Sequence, residues 1–358
     1  MADSFSNFYR GKKVLVTGHT GFKGGWLSFW LKLLGADVIG FALAPETDPN
    51  LFTAARVAEG MKSEIGDIRD LAAVSAVFQR HKPDIVIHNA AQPLVRRSYR
   101  EPVETYATNV MGTVHVLEAA RHTESVRAVV VVTSDKCYEN REWVWGYRES
   151  DTVGGHDPYS SSKGAAEVVL AGYRNSFFSQ NGSAAVASAR AGNVIGGGDW
   201  SEDRLVPDIV RGVAAGKPVV IRRPQSIRPW QHVLEPLRGY LLLAQHLFEQ
   251  GRAFAEPWNF GPRDEDAIPV QQLAERIVAL WGKGALKIEP EPGAVHEATF
   301  LRLSCEKAKT QLGWRPVLNV DEALQWSVEW YRAYYEKPAA ACSNTKGQIE
   351  RYMRMAGV

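Results

Sequence analysis

Lys13-Val14-Leu15-Val16-Thr17-Gly18-His19-Thr20-Gly21-Phe22-Lys23-Gly24 is the stretch on which the fold turns. An apolar, β-branched run passes without a break into three glycines spaced G-x-x-G-x-x-G. Helical spacing follows over residues 26–34, with a stop at Gly35. A strand, a glycine turn and a helix in that order make the first unit of a dinucleotide-binding α/β fold. Gly18 permits the tight turn, Gly21 lets a backbone approach a pyrophosphate, and Gly24 lets the helix pack close to the strand. A purely structural glycine turn is the other reading of the same residues.

Working outward, further short apolar runs lie at 38–43, 84–88, 127–133 and 184–190, separated by segments long enough for crossover helices. The unbroken Val129-Val130-Val131-Val132 suits a strand buried on both faces, as parallel sheets require. The expected fold is α/β, a Rossmann-like doubly wound parallel sheet over residues 1–192. From Asn193 the rhythm breaks into Gly- and Pro-rich connections such as Gly196-Gly197-Gly198 and Gly216-Lys217-Pro218. Residues 193–358 are therefore expected to form a smaller, irregular α/β domain for the substrate, with some chain crossing back to the first. Helices are predicted over 270–281 and 321–335, and the polar tail beyond Pro338 is expected to fray.

The 358 residues are 45% hydrophobic, ample for a large core. Forty-two Lys plus Arg against 40 Asp plus Glu leave a net charge of +2, too small a surplus for a nucleic-acid surface. Three widely spaced cysteines, Cys137, Cys305 and Cys342, form neither a disulfide framework nor a metal ligand set and suit a reducing compartment. No apolar run approaches the roughly 20 residues of a membrane span, and the first residues lack the layout of a secretory signal. A cytoplasmic protein with a small-molecule partner, no metal and no membrane contact is expected.

The second strand should end in an acid for the cofactor's ribose, yet Gly40-Phe41-Ala42-Leu43-Ala44-Pro45 offers none; Glu46 and Asp48 come late, and no arginine awaits a 2′-phosphate. After the third strand, Asp67 and Ile68 stand where a carboxylate can accept from an adenine amino group, or simply face solvent. Tyr159-Ser160-Ser161-Ser162-Lys163 puts a phenol and an ammonium on one face of a helix, where the cation favours phenolate and makes Tyr159 a candidate general base. Thr133-Ser134-Asp135-Lys136-Cys137-Tyr138 follows the buried valine strand at the sheet edge where ligands bind. An Asp135–Lys136 ion pair is the plainer reading of that segment.

These residues together resemble the extended short-chain dehydrogenase/reductase family of nucleotide-sugar enzymes, over roughly residues 11–316. His88-Asn89-Ala90-Ala91, Asn109-Val110-Met111-Gly112-Thr113, Arg190-Ala191-Gly192-Asn193-Val194-Ile195-Gly196 and Arg228-Pro229-Trp230-Gln231-His232-Val233 carry the resemblance further. It implies NAD held by Gly18 to Gly24, Asp67, Ile68, Asn89, Ala90, Ala91, Asn109, Tyr159 and Lys163. It implies a nucleotide sugar held by Gln92, Ser134, Asn193, Arg204, Leu205, Arg228, His232 and His296. A hydroxyl and two polar residues after the fifth strand resemble the layout of 4,6-dehydratases. Asp135-Lys136 in place of Asp-Glu resembles the branch that takes CDP-D-glucose. The implied chemistry is oxidation at C4 by Tyr159 with Ser134, elimination across C5 and C6 with Asp135 as acid, and return of hydride to C6. Lys136, where relatives have a glutamate, is implied either as the C5 base or as an electrostatic group. The resemblance also implies a homodimer or dimer of dimers, paired through the helices after Asn109 and Tyr159. Another nucleotide-sugar 4,6-dehydratase, a 4-epimerase, which does not need Asp135, and a non-catalytic NAD-binding sensor are the alternatives.

Overall fold

The computed structural model describes residues 7–180, 182–289 and 301–358. β1 (Lys13–Thr17) lies inside a seven-stranded parallel sheet. β2 (Asp37–Ala42) and β3 (Lys62–Ile65) extend it on one side; β4 (Ile85–His88), β5 (Ala128–Val132) and β6 (Ala185–Arg190) extend it on the other. β7 (Pro257–Asn259) closes the far edge beside β6. Strand order therefore reverses between β1 and β4, and a crevice opens at their carboxyl ends.

Side chains alternate across the pleat, so one strand feeds two cores. Val14, Val16, Ile85, Ile87 and Val130 join the layer beneath the helices Phe22–Leu33 and Leu234–Gln250. Leu15, Ile39, Val86, Val129 and Val131 join the layer beneath Leu71–His81, Gly112–Arg121 and Pro158–Ser176. All five residues of β5 are buried, and each such valine contributes roughly 1.5 kcal/mol or more of burial free energy.

The helix after the glycine turn begins at Phe22, earlier than its apolar periodicity suggests, because Gly24 and Gly25 fit inside its first turn. It ends as expected: Gly35 stands just past it with φ of +78°. Beyond Asn193 the chain forms two-stranded pairs, Val194–Ile195 with Gln231–His232, Val219–Ile221 with Leu286–Ile288, and Ile227–Pro229 with Ala267–Pro269. Helices Leu205–Ala214, Val270–Trp281 and Val320–Glu336 pack around them. Residues 234–259 rejoin the first sheet through the helix Leu234–Gln250 and β7.

The tail expected to fray is instead the helix Ala341–Ala356. Ala341, Thr345, Ile349 and Tyr352 form its buried stripe, at spacings that fall on one face. Tyr352 packs edge-on to Trp30, with centroids 5.6 Å apart, and its hydroxyl donates to Glu235 Oε2 at 2.8 Å. Two of those four residues are small, so a polar average concealed the face. No helix among the described residues is long and apolar enough to cross a membrane.

Candidate active site

Thr17, the last residue of β1, joins the two strands that flank the crevice. Its hydroxyl is 2.7 Å from His88 Nδ1 and accepts from the backbone N–H groups of Asn89 and Ala90, each at 3.1 Å. Gly18 follows with φ of +76°; a Cβ there would stand 2.8 Å from the Ala90 backbone. A Cβ on Gly24 would stand 2.0 Å from the Gly18 carbonyl oxygen, so turn and helix are in direct backbone contact. Gly21 caps the helix without a side-chain acceptor, which leaves the first N–H groups free to meet an anion. The turn thus has the form of a pyrophosphate cradle.

His19 contributes backbone to this turn, but its ring is fully buried on the other side. The ring rests over Gly40, where a Cβ would lie 2.3 Å away, and its Nε2 is 2.7 Å from the Ser63 hydroxyl. Burial pulls its pKa down to about 4, so it stays neutral. Thr20 ties the turn to the segment after β2 through its hydroxyl and the Leu43 carbonyl, 2.8 Å. In that segment Glu46 lines the cavity and is paired with Arg97 at 3.2 Å.

One cavity of about 940 Å³ runs along the crevice. Gly18, Thr20, Gly21, Phe22, Lys23, Asp67, Ile68, Asn89, Ala90 and Ala91 line one arm. Ser134, Asp135, Lys136, Tyr159 and Lys163 line its middle, and Asn193, Arg204, Leu205 and Arg228 continue along the wall supplied by residues beyond 192. Asp67 is held by Arg69, whose guanidinium bonds lower the carboxyl pKa, at 2.6 Å and 2.8 Å.

The polar groups after β5 are braced by one another. Ser134 Oγ donates to Asp135 Oδ1 at 2.9 Å, and Asn193 Nδ2 reaches Asp135 Oδ2 at 3.4 Å. Gly192 makes room for that carboxylate, since a Cβ there would stand 2.0 Å from it. No ion pair joins Asp135 to Lys136 among the described residues, so the plainer reading of this segment does not hold. Tyr159 and Lys163 stand in the first turns of the helix Pro158–Ser176, capped by Asp157. Burial pushes the Tyr159 phenol up to about 12; the Ser134 hydroxyl and the Arg204 charge act against that rise. Burial brings Lys163 down to about 8, and its Nζ donates to the Val132 carbonyl at 3.3 Å.

Sequence reasoning missed the frame beneath. Glu167, one turn past Lys163, pairs with Arg190 at 2.8 Å and accepts from Thr133 and Ser188. Spacing on the helix was the available signal for it. Tyr240 had none: it meets the Lys23 ammonium at 3.1 Å from far along the chain. Burial, then the charges of Lys163 and Arg204, bring Lys23 down to about 7.

Several expected contacts lie away from the cavity. The Gln92 amide is spent inside the protein, donating to Leu94 O and Thr105 Oγ1 and accepting from Leu94 N. Asn109 fixes that turn through Gln92 and Ser162. His232 is fully buried between Trp26 and Trp326, and burial takes its pKa down to about 3. These side chains do not line the cavity. His296 lies outside the described residues.

The model of the GDP-mannose 4,6 dehydratase family matches residues 15–326. The chain belongs to that family. Over 353 residues it is 53% identical to a CDP-glucose 4,6-dehydratase of Salmonella typhimurium, covering 97% of this chain and 98% of the relative. Among solved structures, an epimerase from Methanothermobacter thermautotrophicus superposes with a TM-score of 0.81 at 24% identity, covering 94% of this chain and 97% of that one. The UDP-glucose 4-epimerase of Thermus thermophilus, solved with NAD, gives 0.77 at 25% identity, covering 89% and 99%. The doubly wound sheet is thus the fold of the family.

Proposed function

We propose that the protein is an NAD-dependent CDP-D-glucose 4,6-dehydratase, a hydro-lyase that forms CDP-4-keto-6-deoxy-D-glucose and water. The observation that carries this reading is the 53% identity, sustained over nearly the whole of both chains. The crevice supports it from the other direction, by placing a phenol, an acid, a lysine and a glycine cradle along one cavity.

The cradle fits NAD, because Gly21 leaves uncapped N–H groups toward the cavity and Gly18 and Gly24 leave no bulk in the way. Held there by the turn from Gly18 to Gly24, NAD would supply the hydride acceptor for C4 and the hydride donor for C6. Tyr159, as phenolate, takes the proton of the sugar 4-hydroxyl, and Ser134 hydrogen-bonds the same oxygen. The resulting ketone acidifies the C5 proton, which Lys136 removes. Asp135 is the general acid that delivers a proton to the C6 hydroxyl, which leaves as water. Reprotonation at C5 completes the product. Lys163 keeps positive charge beside Tyr159 and favours phenolate.

Incubating the purified protein with CDP-glucose, dTDP-glucose, UDP-glucose and GDP-mannose tests this reading. Absorbance of a 4-keto-6-deoxy sugar in alkali should develop with CDP-glucose; its absence there, or its appearance only with another nucleotide, defeats the assignment.

The same proposal includes a homodimer. Val103, Met111 and Val168 are 82%, 47% and 62% exposed on the helical segments that follow β4 and precede β6, an apolar surface suited to a second copy. Ala166 and Leu170, on the helix Pro158–Ser176 that carries Val168, are buried within the protomer. Cys137, Cys305 and Cys342 are free thiols, in keeping with the cytoplasm.

A further inference from the structure

With the glycine turn at one arm of the cavity and Tyr159 and Asp135 at its middle, the remaining arm is left for the nucleoside of a nucleotide sugar. Its wall comes from the loop around Asp199 to Asp208 and from the strand Val219–Ile221. The acids on this wall are engaged, with one exception. Asp199 bonds Arg204 and the Ser201 N–H, Asp208 is held by Arg211, and Glu202 reaches out to Arg100. Asp203 accepts no hydrogen bond from any described residue. Among the described residues it is ion-paired with Arg222, at 3.9 Å, which balances the charge without using up the carboxylate's lone pairs. Both line the cavity beside Pro218 and Val220, and Val220 is 44% exposed, an apolar surface for a flat ring.

We propose that Asp203 and Arg222 read the base of the substrate and select cytosine; this deepens the dehydratase reading and rests on it. A carboxylate only accepts and a guanidinium only donates. Cytosine offers an amino donor at C4 and acceptors at N3 and O2, which matches the pair: Asp203 takes the amino group and Arg222 gives to the ring. Uracil and thymine turn O4 toward Asp203, acceptor against acceptor, and N3–H toward Arg222, donor against donor. Such mismatches discriminate because each sets donor against donor or acceptor against acceptor.

The test is calorimetric titration of the NAD-loaded protein with CDP, UDP and dTDP. Wild type should prefer CDP. Asp203→Asn, whose amide can donate to O4, should cut the CDP-to-UDP affinity ratio at least tenfold, in part by tightening UDP, a gain that misfolding cannot produce. Arg222→Met should weaken CDP at least tenfold with no gain for UDP. A ratio left unchanged by Asp203→Asn, in a protein that turns over CDP-glucose, overturns the base assignment and spares the dehydratase reading. A wild type that binds the three diphosphates equally and fails to turn over CDP-glucose overturns the dehydratase reading itself.

Discussion

Tyr159 differs from phenylalanine by one oxygen, yet that oxygen is the proposed proton acceptor. Tyr159→Phe should lower turnover by about a thousandfold, the scale of a lost general base, with the circular dichroism spectrum unchanged. The charge field around the phenol makes a second prediction. Arg204 opposes the rise in the Tyr159 pKa, so removing it disfavours phenolate and raises that pKa further. In Arg204→Ala the acidic limb of the pH–rate profile should therefore move to higher pH; an unmoved limb removes Arg204 from this role. Lys136 is separable from both. Lys136→Met should still oxidise C4, seen as absorbance of reduced cofactor, but should stop exchange of the C5 hydrogen with solvent deuterium. Wild-type exchange in that variant excludes Lys136 as the base.

Among the elements, the helix Leu234–Gln250 carries a buried acid. Glu235 is fully buried and accepts from Val317 N at 3.0 Å, Leu318 N at 2.7 Å and the Tyr352 hydroxyl at 2.8 Å. Burial outweighs these bonds and pushes its pKa up to about 7. The folded protein then holds a proton that the unfolded chain has already released, so this group's contribution to stability falls as pH rises from about 4.5 to 7. Its size is roughly 3 kcal/mol. Glu235→Gln should remove that slope, as urea unfolding at pH 5 and pH 8 would show; an equal slope in both proteins counts against it. Such elements also mark where sequence is readable. β1, β2 and β4 to β6 were legible because each is a short apolar run bounded by breakers, and the glycine turn because backbone contact leaves only one residue type. The Tyr159, Lys163 and Asp135 cluster was legible from spacing and from its place at a strand end. Gln92, His232 and Tyr240 were not, since whether a polar side chain faces a cavity or the core depends on partners far along the chain. Asp203 and Arg222 carried no motif at all; only folding brings them to one wall.

At the scale of the molecule, the exposed apolar surface at Val103, Met111 and Val168 should be covered by a second copy. Wild type should sediment as a dimer or larger at micromolar concentration. A charge placed on that face, as in Val168→Glu, should shift it to monomer without altering the thermal transition of the sheet. A wild-type monomer rejects the pairing. The last helix imposes an order in time. Trp30, near the start of the chain, is covered by Tyr352, near its end, and the edge of the main sheet waits for β7. A ribosome adding about 5–20 residues per second needs on the order of half a minute to make what lies between them. Until Tyr352 has been made, the nascent first sheet carries an uncovered tryptophan. Stop codons or frameshifts that remove only the final helix should then yield a polypeptide that holds every residue of the proposed catalytic cluster and is nonetheless bound by chaperones or degraded.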